Sequence, residues 1–294
     1  RSRPCRQVRN ADAGTDGIRS MKSATPPAYR IRQPEGDPVP VIVSIPHAGT
    51  RVPAEVRAAF ASPAIAALPM TDWHVDRLYE FLPRLGVTVI QAVWSRFVVD
   101  LNRPPRPRPL YPGRFETGVI PETTFTGEPI FRQTPSPEKT AELIRQYYQP
   151  YHEALAGLLG ACQARFGRAV LVDAHSVISH ANRVHPALEE DIYLGDRDGD
   201  SCGPWLRGLV SAEFAGLGYA VAVNSPYKGG YITSHYGAGE GVEALQIEMA
   251  QRVYMHEDDP AGGPGHPRFR QVSADLERVF HALIRGLQTD EGPQ

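Results

Sequence analysis

Cysteine is scarce in this sequence: Cys5, Cys162 and Cys202 are scattered over 294 positions, with no C-x-x-C pair. An odd, unclustered set excludes a disulfide scaffold and a cysteine-cage zinc site, and it fits the reducing cytoplasm. An excess of one charge is also lacking. The 31 lysines and arginines face 33 aspartates and glutamates, a formal net charge of -2, so neither nucleic acid nor an anionic membrane surface is an expected partner. Long hydrophobic runs are missing as well. No stretch approaches the about 20 apolar residues that a membrane-spanning helix needs, which predicts a soluble protein without a membrane partner. Residues 1–20 have almost no apolar content and lack the apolar core of a secretory signal. With Met21 directly after them, they read as a disordered or vector-derived tail outside the fold. Residues 21–294 read as one domain, long enough to bury a full core.

What is present is a pair of apolar runs that each end in a histidine: Val41-Ile-Val-Ser-Ile-Pro-His47 and Ala169-Val-Leu-Val-Asp-Ala-His175. Both have the length and branched-residue content of buried strands, so each imidazole falls where a strand leaves a sheet. Further strands are expected at 87–93, 97–101, 191–194, 219–223 and 244–248. Helices are expected at 53–60, 72–85, 137–166, 204–215 and 269–287. Alternation of this kind predicts a three-layer α/β/α sandwich around a mostly parallel or mixed sheet. Residues 103–112 are too proline-dense for regular structure, and 113–135 follow as a long loop of the length found in lids and binding loops.

In open α/β sheets ligands bind at the carboxyl ends of the strands, so His47 and His175 are candidate metal ligands. A catalytic zinc takes three protein ligands and keeps a fourth position open. The stretch Thr71-Asp72-Trp-His74-Val-Asp76 offers the third, with Asp72 preferred and Asp76 or His74 as substitutes. A hydrolase also needs a base. Glu248, an acid in an otherwise apolar strand, is the first choice, ahead of Glu243 and Glu240, because glutamate is depleted in strands unless its surroundings require it. Asn102 and Arg103, after Asp100, suit a substrate carboxylate through the planar guanidinium, with an Asp100–Arg103 ion pair as the plainer alternative. The glycine-rich segment 224–237 has the composition of a binding loop. Gly199-Asp-Ser201-Cys-Gly203 matches the G-x-S-x-G of serine hydrolases but lacks the strand directly before it, so Ser201 reads better as a cap for the helix beginning near Pro204.

At these residues the chain resembles the N-formylglutamate amidohydrolase (formylglutamate deformylase) family, itself similar to zinc carboxypeptidases. The resemblance runs from about Val41 to Tyr254. It rests on Ser44-Ile-Pro-His47-Ala-Gly, Thr71-Asp72-Trp-His74, Ser95-Arg96 with Asp100-Leu-Asn102-Arg103-Pro, Gly118-Val-Ile-Pro with Thr124-Phe-Thr-Gly127, Val172-Asp173-Ala-His175-Ser, Asp198-Gly-Asp-Ser-Cys202, and Tyr227-Lys228-Gly-Gly-Tyr231-Ile-Thr. It implies that His47, Asp72 and His175 hold one zinc or another divalent ion, that Glu248 is the general base, and that Asn102-Arg103 is similar to the carboxylate-binding pair of carboxypeptidases. Arg96, Arg183 and Lys228 are further candidates for gripping the substrate. The chain departs from carboxypeptidases at Thr50, where they carry a glutamate ligand, and from typical deformylases at Ser234, where an arginine is expected nearby.

The implied activity is zinc-dependent hydrolysis of N-formyl-L-glutamate to formate and L-glutamate, the last step of a histidine degradation pathway, in the cytoplasm. Another N-acyl amino acid or a peptide terminus is the alternative substrate. A serine hydrolase using Ser201 is the second alternative.

Overall fold

The computed structural model describes residues 26–106, 108–110 and 113–289. The expected tail at 1–20, Met21 and Cys5 lie outside the described residues. Seven strands form one mixed sheet: β1 (Tyr29–Arg32), β2 (Val41–Ile45), β3 (Thr88–Ala92), β4 (Ala169–Val177), β5 (Ile192–Gly195), β6 (Val221–Val223) and β7 (Val242–Ala250). Their spatial order is β1-β3-β2-β4-β7-β5-β6. Parallel pairing joins β3, β2, β4 and β7, and also β5 to β6. β1 runs antiparallel to β3, and β5 antiparallel to β7.

Side chains alternate between the faces, as the pleat requires. Val41, Val43 and Ile45 of β2 and Val170 and Val172 of β4 pack with Leu206, Val210 and Phe214 from helix Pro204–Gly216 and Val272, Leu276 and Phe280 from helix Phe269–Gln288. Ile42 and Leu171 point the other way, onto Tyr151, Leu155 and Leu159 of helix Gln149–Phe166. Every residue of β2 and β4 is buried, which is why both read as continuous apolar runs. The expected three-layer α/β/α arrangement around a mixed sheet is therefore the observed one.

Several elements differ from the sequence reading. The helix expected at 72–85 is a single helical turn, Val75–Leu78, followed by a 3₁₀ turn, Leu82–Leu85. His74 before it is left-handed (φ 62°), a conformation that cannot continue a helix backwards to Asp72. Residues 97–101 are buried but form no strand: the backbone N–H of Val98 turns back to Ser95 O, and that of Asp100 reaches Val119 O. A short buried apolar run carries no periodic sign of which it will be. β1 and the helix Tyr231–Tyr236 were not expected. The long helix is interrupted by a π-helical segment, Ile144–Tyr148. The loop at 113–135 has little regular structure but is held in place: Ile130, fully buried, has its N–H on Glu122 O, and its carbonyl accepts from Ala61 N–H.

Close backbone approach beside His47 constrains one glycine. A Cβ at Gly49 would lie 2.3 Å from the carbonyl oxygen of Trp94. We predict that Gly49→Ala costs about 1–3 kcal/mol, as overpacking does, whereas Gly157→Ala, in open space on a helix interior, gains roughly 0.5–1 kcal/mol. Urea unfolding midpoints of the two variants check both signs.

Candidate active site

Parallel pairing of β4 with β7 sets Asp173 opposite Gln246 and His175 opposite Glu248. Residues two apart on a strand share a face, so four polar side chains leave the sheet together. β2, on the other side of β4, ends at Ile45, and His47 follows one residue past Pro46. Asp72 comes from the loop before helix Val75–Leu78, tied down by its own N–H on His47 O at 3.1 Å. Asp72 is therefore no helix cap. Its carboxylate accepts from the N–H of Ser176 at 3.1 Å and faces both histidines.

The Nδ1 atom of each imidazole points to Asp72 Oδ2, at 3.7 Å from His47 and 3.0 Å from His175. The three ligand atoms lie within 4.8 Å of one another, all on buried residues. Ligands about 2.0–2.2 Å from a tetrahedral zinc stand roughly 3.4 Å apart, so this spacing fits a cation with small adjustment. The Nε2 atoms are held from behind. His47 Nε2–H donates to Asp100 Oδ1 at 2.8 Å, while His175 Nε2 lies 3.0 Å from Asp173 Oδ2 and 2.9 Å from Asn102 Nδ2. Carboxylates in that position orient metal-bound imidazoles and raise their basicity. His47 Nδ1 is buried with no hydrogen-bond partner. A bound cation would satisfy it, and the donor set of two imidazoles and one carboxylate suits zinc.

The electrostatics follow from the packing. Burial pushes the Asp72 carboxyl up, but the hydrogen bond from His175 and the proximity of both imidazoles outweigh it, holding Asp72 below the usual carboxylate range. Burial would lower His175, yet Asp173 and Asp72 on either side keep it well above an ordinary histidine. Asp100 is pushed up by burial but held well down, chiefly by Arg96, whose guanidinium reaches it at 2.7 Å. Glu248 is pushed up to about 8, first by burial and then by the charges of Asp72 and Asp173, with His175 and Arg96 opposing. Gln246 Nε2 donates to one Glu248 oxygen at 2.9 Å and leaves the other available.

One cavity is lined by His47, Asp72, His175, Glu248, Arg96, Asn102 and Arg103, so most of the candidate residues come together. Their working contacts differ from the sequence reading in part. Asn102 is committed within the protein: its Nδ2 donates to Asp173 Oδ2 and lies against His175 Nε2, and its Oδ1 accepts from Ile232 N–H at 2.8 Å. Arg103 donates to the carbonyls of Thr117 and Asn102, both at 2.9 Å, and Asp100 forms its ion pair with Arg96. Arg183 stacks on Phe115 (3.9 Å), Lys228 pairs with Asp198 (2.6 Å), and neither lines this cavity. Asp76 and His74 also lie outside it. The carbonyl of Asp76 accepts from Arg32, and His74 Nε2 meets Pro260 O. Glu243 accepts from Gly203 N–H and Trp205 Nε1–H, and Glu240 is exposed with its carbonyl bound by Gln163. Ser201 is buried and its hydroxyl donates to Ala244 O at 2.8 Å, so its proton goes to a backbone carbonyl and to no imidazole. Nor does Ser201 cap the next helix, whose N-cap is Gly203.

Sequence reasoning missed the roles of Asp100, Asp173, Gln246, Arg114 and Tyr227. Asp173 and Gln246 were findable, since each stands two residues before a candidate on the same strand. Arg114 and Tyr227 line the cavity from separate loops; Tyr227 stands in the glycine-rich segment read as a binding loop, whereas nothing local marks Arg114.

The family described as N-formylglutamate amidohydrolase matches residues 39–255 of this chain. An N-formylglutamate deformylase of Pseudomonas aeruginosa is 40% identical over 253 residues, 85% of this chain and 91% of that protein. One from Pseudomonas putida is 41% identical over 226 residues, covering 76% and 84%. Among solved structures, the N-formylglutamate amidohydrolase of Ralstonia eutropha JMP134 superposes with a TM-score of 0.77 at 30% identity, covering 88% of this chain and 98% of that one. A gene product of Agrobacterium tumefaciens shares the fold, with a TM-score of 0.65 at 17% identity, covering 88% and 96%.

Metal ligation needs a neutral His175, yet without metal its neighbours keep it protonated. Zinc affinity of the metal-free protein is therefore expected to fall as pH drops from 8 to 6, with proton release on binding, when titrated against a competing chelator. Asp173→Asn and Asp100→Asn are each expected to weaken metal binding about 10–100-fold while leaving all three candidate ligands in place.

Proposed function

We propose, from the premise that this chain belongs to the N-formylglutamate amidohydrolase family, that it is a zinc-dependent deformylase hydrolysing N-formyl-L-glutamate to formate and L-glutamate. The observation that carries this reading is the convergence of His47, Asp72 and His175 on one point of a cavity that Glu248 also lines. Family membership makes the chain an amidohydrolase. The metal, the substrate and the setting, a cytoplasmic last step of histidine degradation, are the finer part of the proposal.

His47, Asp72 and His175 would hold one zinc per chain, although another divalent ion can use the same donors. When bound, the ion supplies Lewis-acid polarisation of the formyl oxygen and greater acidity for the attacking water. The chain does the rest. Glu248, with one oxygen fixed by Gln246, takes the proton of the attacking water through the other and passes it to the departing nitrogen. Burial raises its affinity for protons, so once ionised it holds the proton that it takes from water. Arg103, fixed by two backbone carbonyls, presents a rigid guanidinium to a substrate carboxylate and so positions the formyl carbon. Arg96 is engaged by Asp100 and lies 3.8 Å from Asp72, so its main work is to hold the ligand shell.

Two measurements test this. Purified protein should release formate from N-formyl-L-glutamate faster than acetate from the N-acetyl analogue, and lose that activity on chelation. Glu248→Gln should lower kcat about 10²–10⁴-fold while metal content stays at the wild-type level. A Glu248→Gln protein of unchanged kcat removes the base from the mechanism, and a wild-type protein that releases no formate removes the substrate.

A further inference from the structure

The cavity holds three arginines, and only one of them is neutralised. Arg96 is paired with Asp100, whereas Arg103 and Arg114 make no ion pair among the described residues. Arg114 comes from the loop after the proline-dense segment and makes one hydrogen bond, from Nη1 to the carbonyl of Pro226 at 3.3 Å. The residue after Pro226 is Tyr227, whose ring packs edge-on against His185 and Tyr193. Tyr227 also lines the cavity, and its hydroxyl is buried with no hydrogen-bond partner among the described residues. Burial, then the charges of Glu248 and Asp72, keep that phenol un-ionised, so it is a donor in need of an acceptor. An unpartnered buried hydroxyl is costly unless a ligand completes it.

We infer that Arg114 and the Tyr227 hydroxyl form a second carboxylate subsite, which binds the side-chain carboxylate of an N-acylated acidic amino acid while Arg103 takes the α-carboxylate. The assignment rests on the proposed deformylase reading and deepens it. A guanidinium and a phenol O–H offer the two donors a carboxylate accepts, and the adjacency of Pro226 and Tyr227 brings them to one wall. The α-carboxylate lies closer to the scissile amide by two bonds, which suits Arg103, whose chain neighbour Asn102 touches His175. The longer arm then reaches Arg114 on the loop. Lys228 and Arg183, engaged with Asp198 and Phe115, are left out of the grip.

The test compares N-formyl-L-glutamate with N-formyl-L-glutamine, which differ only in the side-chain carboxylate, on wild type, Arg114→Gln and Tyr227→Phe. Each variant is expected to lose about 10–100-fold in kcat/KM on the glutamate substrate, mostly through KM, and less than about threefold on the glutamine substrate. Metal content and melting temperature should match wild type, and Arg114→Lys should recover part of the loss. Equal losses on both substrates, or no loss on either, would overturn the subsite while leaving the deformylase reading intact. A wild-type protein that releases formate from neither substrate would overturn that reading and the subsite with it.

Discussion

The pairing of β4 with β7 is the constraint on which the site depends. Both strands are nine residues long and nearly all buried, yet each carries polar groups in the half that leaves the sheet. Because pleated side chains alternate, their register places His175 and Asp173 on the same side as Glu248 and Gln246. A slip of one residue would turn Glu248 to the opposite face and bury the valines of β4 among polar groups. The apolar residues of both strands, packed on both helical layers, enforce the register. The same packing that stabilises the fold thus sets the distance between a candidate ligand and the candidate base.

Charge balance then explains why so many ionisable groups tolerate burial. Asp72, Asp100, Asp173 and Glu248 are all less than a tenth exposed, and the fixed cation among them is Arg96. Burying a charge without a partner is expensive. His175, held protonated between Asp72 and Asp173, relieves part of the deficit, and Glu248 relieves more by its raised proton affinity. A divalent cation among His47, Asp72 and His175 would balance the remaining excess, so the charge balance of these residues and the proposed chemistry point the same way. Asp100 links the parts, receiving His47 and Arg96 on its two oxygens.

Much of this was legible beforehand. The strands around His47 and His175 were readable because doubly buried parallel strands leave long runs of branched residues, and Glu248 because an acid interrupts such a run. The chain's membership of its family was legible from the order of its short motifs. Elements governed by non-local contacts were not. The segment 97–101 has the composition of a strand and is instead an irregular buried turn, and 72–85 has helical spacing that His74 cuts short. Arg183 and Lys228 stood behind Arg103 as further candidates in sequence, and their neighbours in the fold show that they are engaged elsewhere.

The sequence by itself determined the alternation of strands and helices, the faces that are buried, and the two imidazoles at strand ends. These depend on periodicity and on hydrophobic content, which are local. Tertiary structure decided which aspartate joins the histidines, which carboxylates stand behind them, and which arginines remain unpaired in the cavity. Those choices are made by loops that approach from distant parts of the chain, where each hydrogen bond follows from the whole packing and no short stretch encodes it.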